Sequence, residues 1–84
     1  MLLYVLPQEG PVRAAFVTSR RIGGAVVRNR ARRQMKEAWR SLLRTVTDGF
    51  DVVFAARPGL PGVTTSDLAR EMKELLEQAG VVPR

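Results

Sequence analysis

The feature that most restricts the fold is a change of period at Gly23-Gly24. Before the glycines, "RAAFVTSRR" alternates: as a strand it puts Ala14, Phe16, Thr18 and Arg20 on one face and Ala15, Val17, Ser19 and Arg21 on the other. After them, Ala31, Met35, Ala38, Trp39, Leu42 and Val46 recur at helical spacing, which predicts a helix of about five turns over residues 25–45. The glycine pair breaks the extended run and marks the switch from one geometry to the other. The helix carries an apolar stripe of about 100°, as a helix lying on a sheet requires.

The remaining segments supply that sheet and a second helix. Residues 2–6, "LLYVL", are rich in strand formers and stop at Pro7; "PQEGP" reads as a turn, so the first two strands are expected to form a hairpin. "TDGF" supplies a turn through Asp48 and Gly49, and "DVVFAAR" reads as a buried strand running to Arg57. "PGLPGV" is a loop punctuated twice by Pro-Gly. In "TTSDLAREMKELLEQAG", Thr64 or Thr65 serves as N-cap, Asp67 sits in the first turn, and Gly80 terminates an amphipathic helix with a stripe of Leu68, Met72, Leu75, Leu76 and Ala79. The order is β-β-α-β-α without internal repeat or linker, so residues 1–84 are expected as a single domain. The fold class is α/β, an α+β two-layer sandwich in which a small sheet carries a long basic helix and a C-terminal helix.

Composition excludes whole classes of chemistry. Among 84 residues there is no cysteine and no histidine, which removes disulfides, thiol nucleophiles, imidazole catalysis and the usual zinc ligand sets. The eight carboxylates fit ordinary roles: Asp48 in a turn, Asp51 at a strand start, Asp67 at a helix start, and Glu71, Glu74 and Glu77 on a solvent face. No pair is placed for acid/base work, so no catalytic residue and no metal site is expected in the protein itself. The opening "MLLYVLP" has no basic n-region, and no apolar run approaches the length of a membrane span, so a cytoplasmic location without membrane association is expected.

The charge is the informative part. Lysine and arginine number 14 against 8 acidic residues, a net charge of +6. Eight of those cations lie between Arg20 and Arg40, whereas the last helix is nearly balanced in sign. On a helical wheel Arg32, Lys36, Arg40 and Arg44 follow each other at four-residue spacing, with Asn29 and Arg33 beside them, as an inclined row about 6 Å apart along the axis. Like charges at that spacing repel by a few tenths of a kcal/mol per pair, and only Glu37 interrupts them. A solvated basic face and a surface for a polyanion both fit this row. Arg28 falls in the sector of the apolar stripe, which puts its guanidinium at the helix–sheet seam near Arg20 or Arg21. Asn29 adds donors and an acceptor without charge, suited to a phosphate, ribose or base edge, or equally to local backbone. Gly23-Gly24 is fully explained as a strand-to-helix turn, because neither G-x-G-x-x-G nor a P-loop pattern is present.

"SRRIGGAVVRNRARRQMKEAWR" resembles the arginine-asparagine-rich signature of the bacterial ribonuclease P protein subunit: a basic pair after a strand, a glycine turn, "AVVRNR", a second basic pair and an aromatic residue one turn on. "LLYVLP", "DVVFAARPG" and the last helix resemble that family's other elements, in order. The resemblance implies an RNA-binding subunit that assists a catalytic RNA in removing the 5′ leader of precursor tRNA, with Mg2+ used by the RNA. Under it Arg20, Arg21, Arg28, Asn29, Arg30, Arg32, Arg33, Lys36 and Arg40 contact RNA, and Tyr4 and Phe16 face the leader. Phe16 fits a core position equally well.

Three departures accompany the resemblance. The family's basic N-terminal helix has no counterpart before Met1, Gln34 stands where an apolar residue is common, and Val17 where a small hydroxyl residue is common. A sheet face left uncovered would favour self-association. The competing function is a general RNA- or DNA-binding module, such as a ribosomal component or a shortened inactive relative.

Overall fold

The most buried strand takes the centre of the sheet. The computed structural model describes residues 1–57 and 63–81. It contains β1 (Leu2–Pro7), β2 (Arg13–Val17), a 3-10 turn (Arg20–Ile22), α1 (Ala25–Leu42), a second 3-10 turn (Leu43–Thr45), β3 (Phe50–Ala55) and α2 (Thr65–Ala79). The Pro-Gly loop expected over 58–63 lies almost wholly outside the described residues. The sheet order is β1-β3-β2, so β3, "FDVVFA", is flanked on both sides. It pairs antiparallel with β1 and parallel with β2.

The expected hairpin between the first two strands is therefore absent. Parallel neighbours need a long crossover, and α1 provides it between β2 and β3, leaving β3 to insert between the first two strands. The strand bearing Pro7, which has no N–H to donate, stays at an edge. The connection from β1 to β2 becomes an arch over the start of β3. Gln8 N–H donates to Gly49 O at 2.9 Å and Gly49 N–H to Gly10 O at 2.9 Å. The Gln8 side chain donates to Pro11 O at 2.7 Å and Phe50 O at 3.2 Å, and Val12 N–H to the Asp48 carboxylate at 3.0 Å.

Among the described residues, helices cover one face of the sheet. On that side Val52 and Phe54 are buried, and Phe54 meets Trp39 at 5.8 Å between ring centroids and stacks with Phe16 at 6.0 Å. The buried residues of α1 are Ala31, Met35, Ala38, Trp39 and Leu42, the stripe read from the sequence. From α2 come Leu68, Met72 and Leu76, with Val81 beyond its end; Leu75 is half-buried and Ala79 exposed, at the margin of the stripe. Among the described residues no helix is long and apolar enough to cross a membrane.

Candidate nucleic-acid interface

The roll of α1 about its axis decides which side chains meet solvent, and two polar ties fix it. On one flank Gln34 donates to Val63 O at 2.5 Å, joining α1 to the approach to α2. On the other, Arg32 Nη1 donates to Thr18 Oγ1 at 3.0 Å, joining it to the chain leaving β2. Between the ties the apolar stripe faces the sheet; opposite it Asn29, Arg30, Arg33, Lys36, Arg40 and Arg44 are exposed. Gln34, polar at an expected apolar position, is thus half-buried and hydrogen-bonded.

Most of these cations are uncompensated. Among the described residues the side-chain ion pairs are Arg13–Asp51 and Arg40–Glu37, the latter 3.8 Å apart with both partners exposed, so worth little. Arg30, Arg33, Lys36 and Arg44 have no such partner. Arg28 is half-buried, as expected for a residue at the seam, and its Nε is enclosed without a hydrogen-bond partner. Arg32 stands apart from the row. It is half-buried and also donates from Nη2 to Asn29 Oδ1, so it braces the site as well as charging it.

Arg20 and Arg21 reach solvent by another route than expected. The strand ends at Val17, and the two arginines sit in the 3-10 turn, so alternation across a strand does not place them on opposite faces. Buried Ile22 anchors this turn, and Gly23 closes it at φ +148 with its N–H on Arg20 O. A Cβ at Gly23 would lie 3.1 Å from Val27 Cβ, so glycine is required by both conformation and space. Both arginines are exposed beside the start of α1. The sheet brings further residues to this end that sequence reasoning missed. Arg57, exposed just past β3, follows Ala56, whose N–H donates to Val17 O at 2.9 Å. Val26, 74% exposed, stands at the head of the cation row. A lone arginine after a strand and a valine in a helix carry no signal of their own.

Tyr4 and Phe16 are not brought together. The register pairs Tyr4 with Val53 and Phe16 with Phe54, consecutive residues of β3 that point to opposite faces. Phe16 is half-buried on the helix side against the core. Tyr4 is 55% exposed on the open side, with Leu2, Leu6 and Val17 also exposed there. At the edge of that face Arg13 grips the Asp51 carboxylate through Nε and Nη2, both at 2.9 Å; this hydrogen bond and the carboxylate's charge raise the arginine's pKa. The described residues contain no cluster of carboxylates able to hold a metal ion.

Comparison with known proteins bears on the family and the fold. The ribonuclease P protein component of Chloroflexus aurantiacus is 44% identical over 85 residues, covering 99% of this chain and 63% of that protein. The component from Symbiobacterium thermophilum is 38% identical, covering 99% of this chain and 74% of the relative. The chain thus spans just under two thirds of the Chloroflexus relative's length, 63%. Among solved structures, the Staphylococcus aureus RNase P protein superposes with a TM-score of 0.80 at 22% identity, covering 96% of this chain and 75% of that one. The Thermotoga maritima RNase P protein gives 0.81 at 23% identity, covering 90% and 74%. At those identities the superpositions establish the α+β fold. The ribonuclease P family model matches residues 1–80, and with the sequence relatives it establishes that this chain belongs to the ribonuclease P protein family.

Proposed function

We propose that this chain is the RNA-binding subunit of ribonuclease P, assisting a catalytic RNA in endonucleolytic removal of the 5′ leader from precursor tRNA in the cytoplasm. The observation that carries this reading is the outward row of Arg30, Arg33 and Lys36, exposed and without carboxylate partners among the described residues. Residues three apart on a helix surface lie about 5–6 Å from each other between Cβ atoms, close to the separation of successive phosphates. Arg20, Arg21, Arg28, Asn29, Arg32 and Arg40 extend the row toward the start of α1 and along its axis. Such a surface binds by releasing counterions, so affinity falls steeply with salt.

The chemistry belongs to the RNA in this reading, with Mg2+ bound there. The protein offers no histidine or cysteine and no carboxylate cluster among its described residues, and its contribution is charge and positioning. The open sheet face, with Tyr4 as a stacking platform beside Leu2 and Leu6, is the surface for the single-stranded leader; base–aromatic stacking is worth about 1–3 kcal/mol. Phe16 supports that face from behind through its stack on Phe54. Self-association through the same face would compete with the leader, so adding precursor tRNA would dissociate such a dimer in light scattering.

The test is cleavage of precursor tRNA by the cognate catalytic RNA at low Mg2+, with and without the protein. Stimulation is expected, and the protein alone is expected to cleave nothing. No stimulation, together with intact RNA binding, would reduce the chain to a general RNA-binding module.

A further inference from the structure

The hydrogen bonds beside the start of α1 form a chain with a direction. Arg32 donates from Nη1 to Thr18 Oγ1 at 3.0 Å and from Nη2 to Asn29 Oδ1. A carboxamide has one acceptor oxygen and two N–H donors, and an unrestrained one rotates to suit whichever group arrives. Here the oxygen is held by a guanidinium, which can only donate. The Asn29 Nδ2 group is therefore the part left for solvent, and the residue is exposed. Arg32 in turn is half-buried and steadied by a hydroxyl from outside the helix.

We propose that Thr18 is a positioning residue for RNA binding: acting through Arg32, it fixes Asn29 as a hydrogen-bond donor toward acceptor atoms of the RNA. The proposal rests on the reading of α1 as the RNA-binding face. Fixing the amide removes the entropy of choosing between two orientations at the moment of binding. It adds no charge, so it is separable from the cation row by experiment. It also explains why an uncharged asparagine stands among arginines. Its oxygen completes the brace on Arg32, while its amide reaches an acceptor without the longer reach and larger rotamer freedom of another cation.

The experiment measures affinity for a transcript of the cognate ribonuclease P RNA over a salt series, with thermal unfolding of every variant alongside. Thr18→Val keeps the side-chain shape and removes the hydroxyl, while Thr18→Ser restores it. Thr18→Val is expected to bind about three- to tenfold more weakly, the scale of one hydrogen bond. Its log–log salt slope should match the unmodified protein, because no phosphate contact is lost. Thr18→Ser should bind normally. Arg32→Lys keeps the charge but cannot hold both partners in a planar fork, so Thr18→Val should have no further effect in that background.

Normal binding by Thr18→Val overturns the proposal, as does an equal loss in the Arg32→Lys background. A second readout needs no RNA. In the free protein the Asn29 side-chain amide resonances should shift and broaden in Thr18→Val and remain in place in Thr18→Ser. Unchanged resonances in both would sink the relay and leave the RNA reading standing. Salt-insensitive binding by the unmodified protein would bring down that reading and this proposal with it.

Discussion

The two helices do the same mechanical job and are built to different standards. Both cover one face of the sheet and bury an apolar stripe against Val52 and Phe54. α2 follows the rules for a stable helix. Thr64 accepts from Asp67 N–H at 3.1 Å, Asp67 lies in the first turn, and Gly80 closes the C-terminus in the left-handed region with its N–H on Glu77 O. α1 has Gly24 at its N-cap with no side-chain bond, no acidic residue in its first turn, and Arg28 and Arg30 near its positive pole. Within α1 the pairs Arg28–Arg32, Arg32–Lys36 and Lys36–Arg40 add repulsion of roughly 1 kcal/mol in total. The longer helix is thus the one whose exposed face works against its own stability. A face of that kind is explained by a ligand that neutralises it.

The comparison breaks first if the helices do not share one core. Phe54 is fully buried between Trp39 and Phe16, so Phe54→Ala is expected to remove about 3–5 kcal/mol. Urea unfolding followed by Trp39 fluorescence, which reports α1, and by far-UV dichroism, which reports both helices, should give coincident transitions at a lowered midpoint. Separate transitions would mean two independent units. The next largest effect separates the outer faces. Replacing Arg30, Arg33 and Lys36 together by glutamine should weaken RNA binding about a hundredfold, at about 0.9 kcal/mol per contact, and flatten the salt slope by about two to three. Arg70→Gln with Lys73→Gln on α2 should change affinity less than about twofold. An equal effect from the two faces would make the charge generic.

What the sequence revealed divides along the same line between local and non-local order. Periodicity identified the buried stripe of α1 residue by residue, because side-chain direction in a helix follows from spacing alone. The caps of α2 were legible for the same reason. Strand pairing was not: Pro7 and Gly10 signal a turn, and nothing within the three strand segments says that β3 inserts between the other two. The candidate site shows the same split. The outward cations could be read from the wheel, but the ties from Arg32 to Thr18 and from Gln34 to Val63 join positions 14 and 29 residues apart and leave no trace in either segment. The two leader-facing candidates part on register, since Tyr4 and Phe16 lie on different strands and their relative face depends on how each meets β3.

The smallest effects test the caps, where the comparison is most direct. Thr64→Ala removes the bond to Asp67 N–H and should destabilise the protein by about 1 kcal/mol, a fall of several degrees in Tm for a domain of this size. The reciprocal change gives α1 what it lacks. Gly24 has φ −71 and ψ −179, an extended conformation open to any residue, and a Cβ there meets nothing within 4 Å. Gly24→Ser should therefore raise stability by a few tenths of a kcal/mol, about 1–2 °C by calorimetry. At the adjacent Gly23, with φ +148 and Val27 in the way, the same substitution should lower Tm instead. If Gly24→Ser gained as much as Thr64→Ala lost, the missing cap rather than the cation row would be the main weakness of α1. The contrast between the helices would then speak of an imperfect helix start, and the case for a ligand would rest on exposure alone.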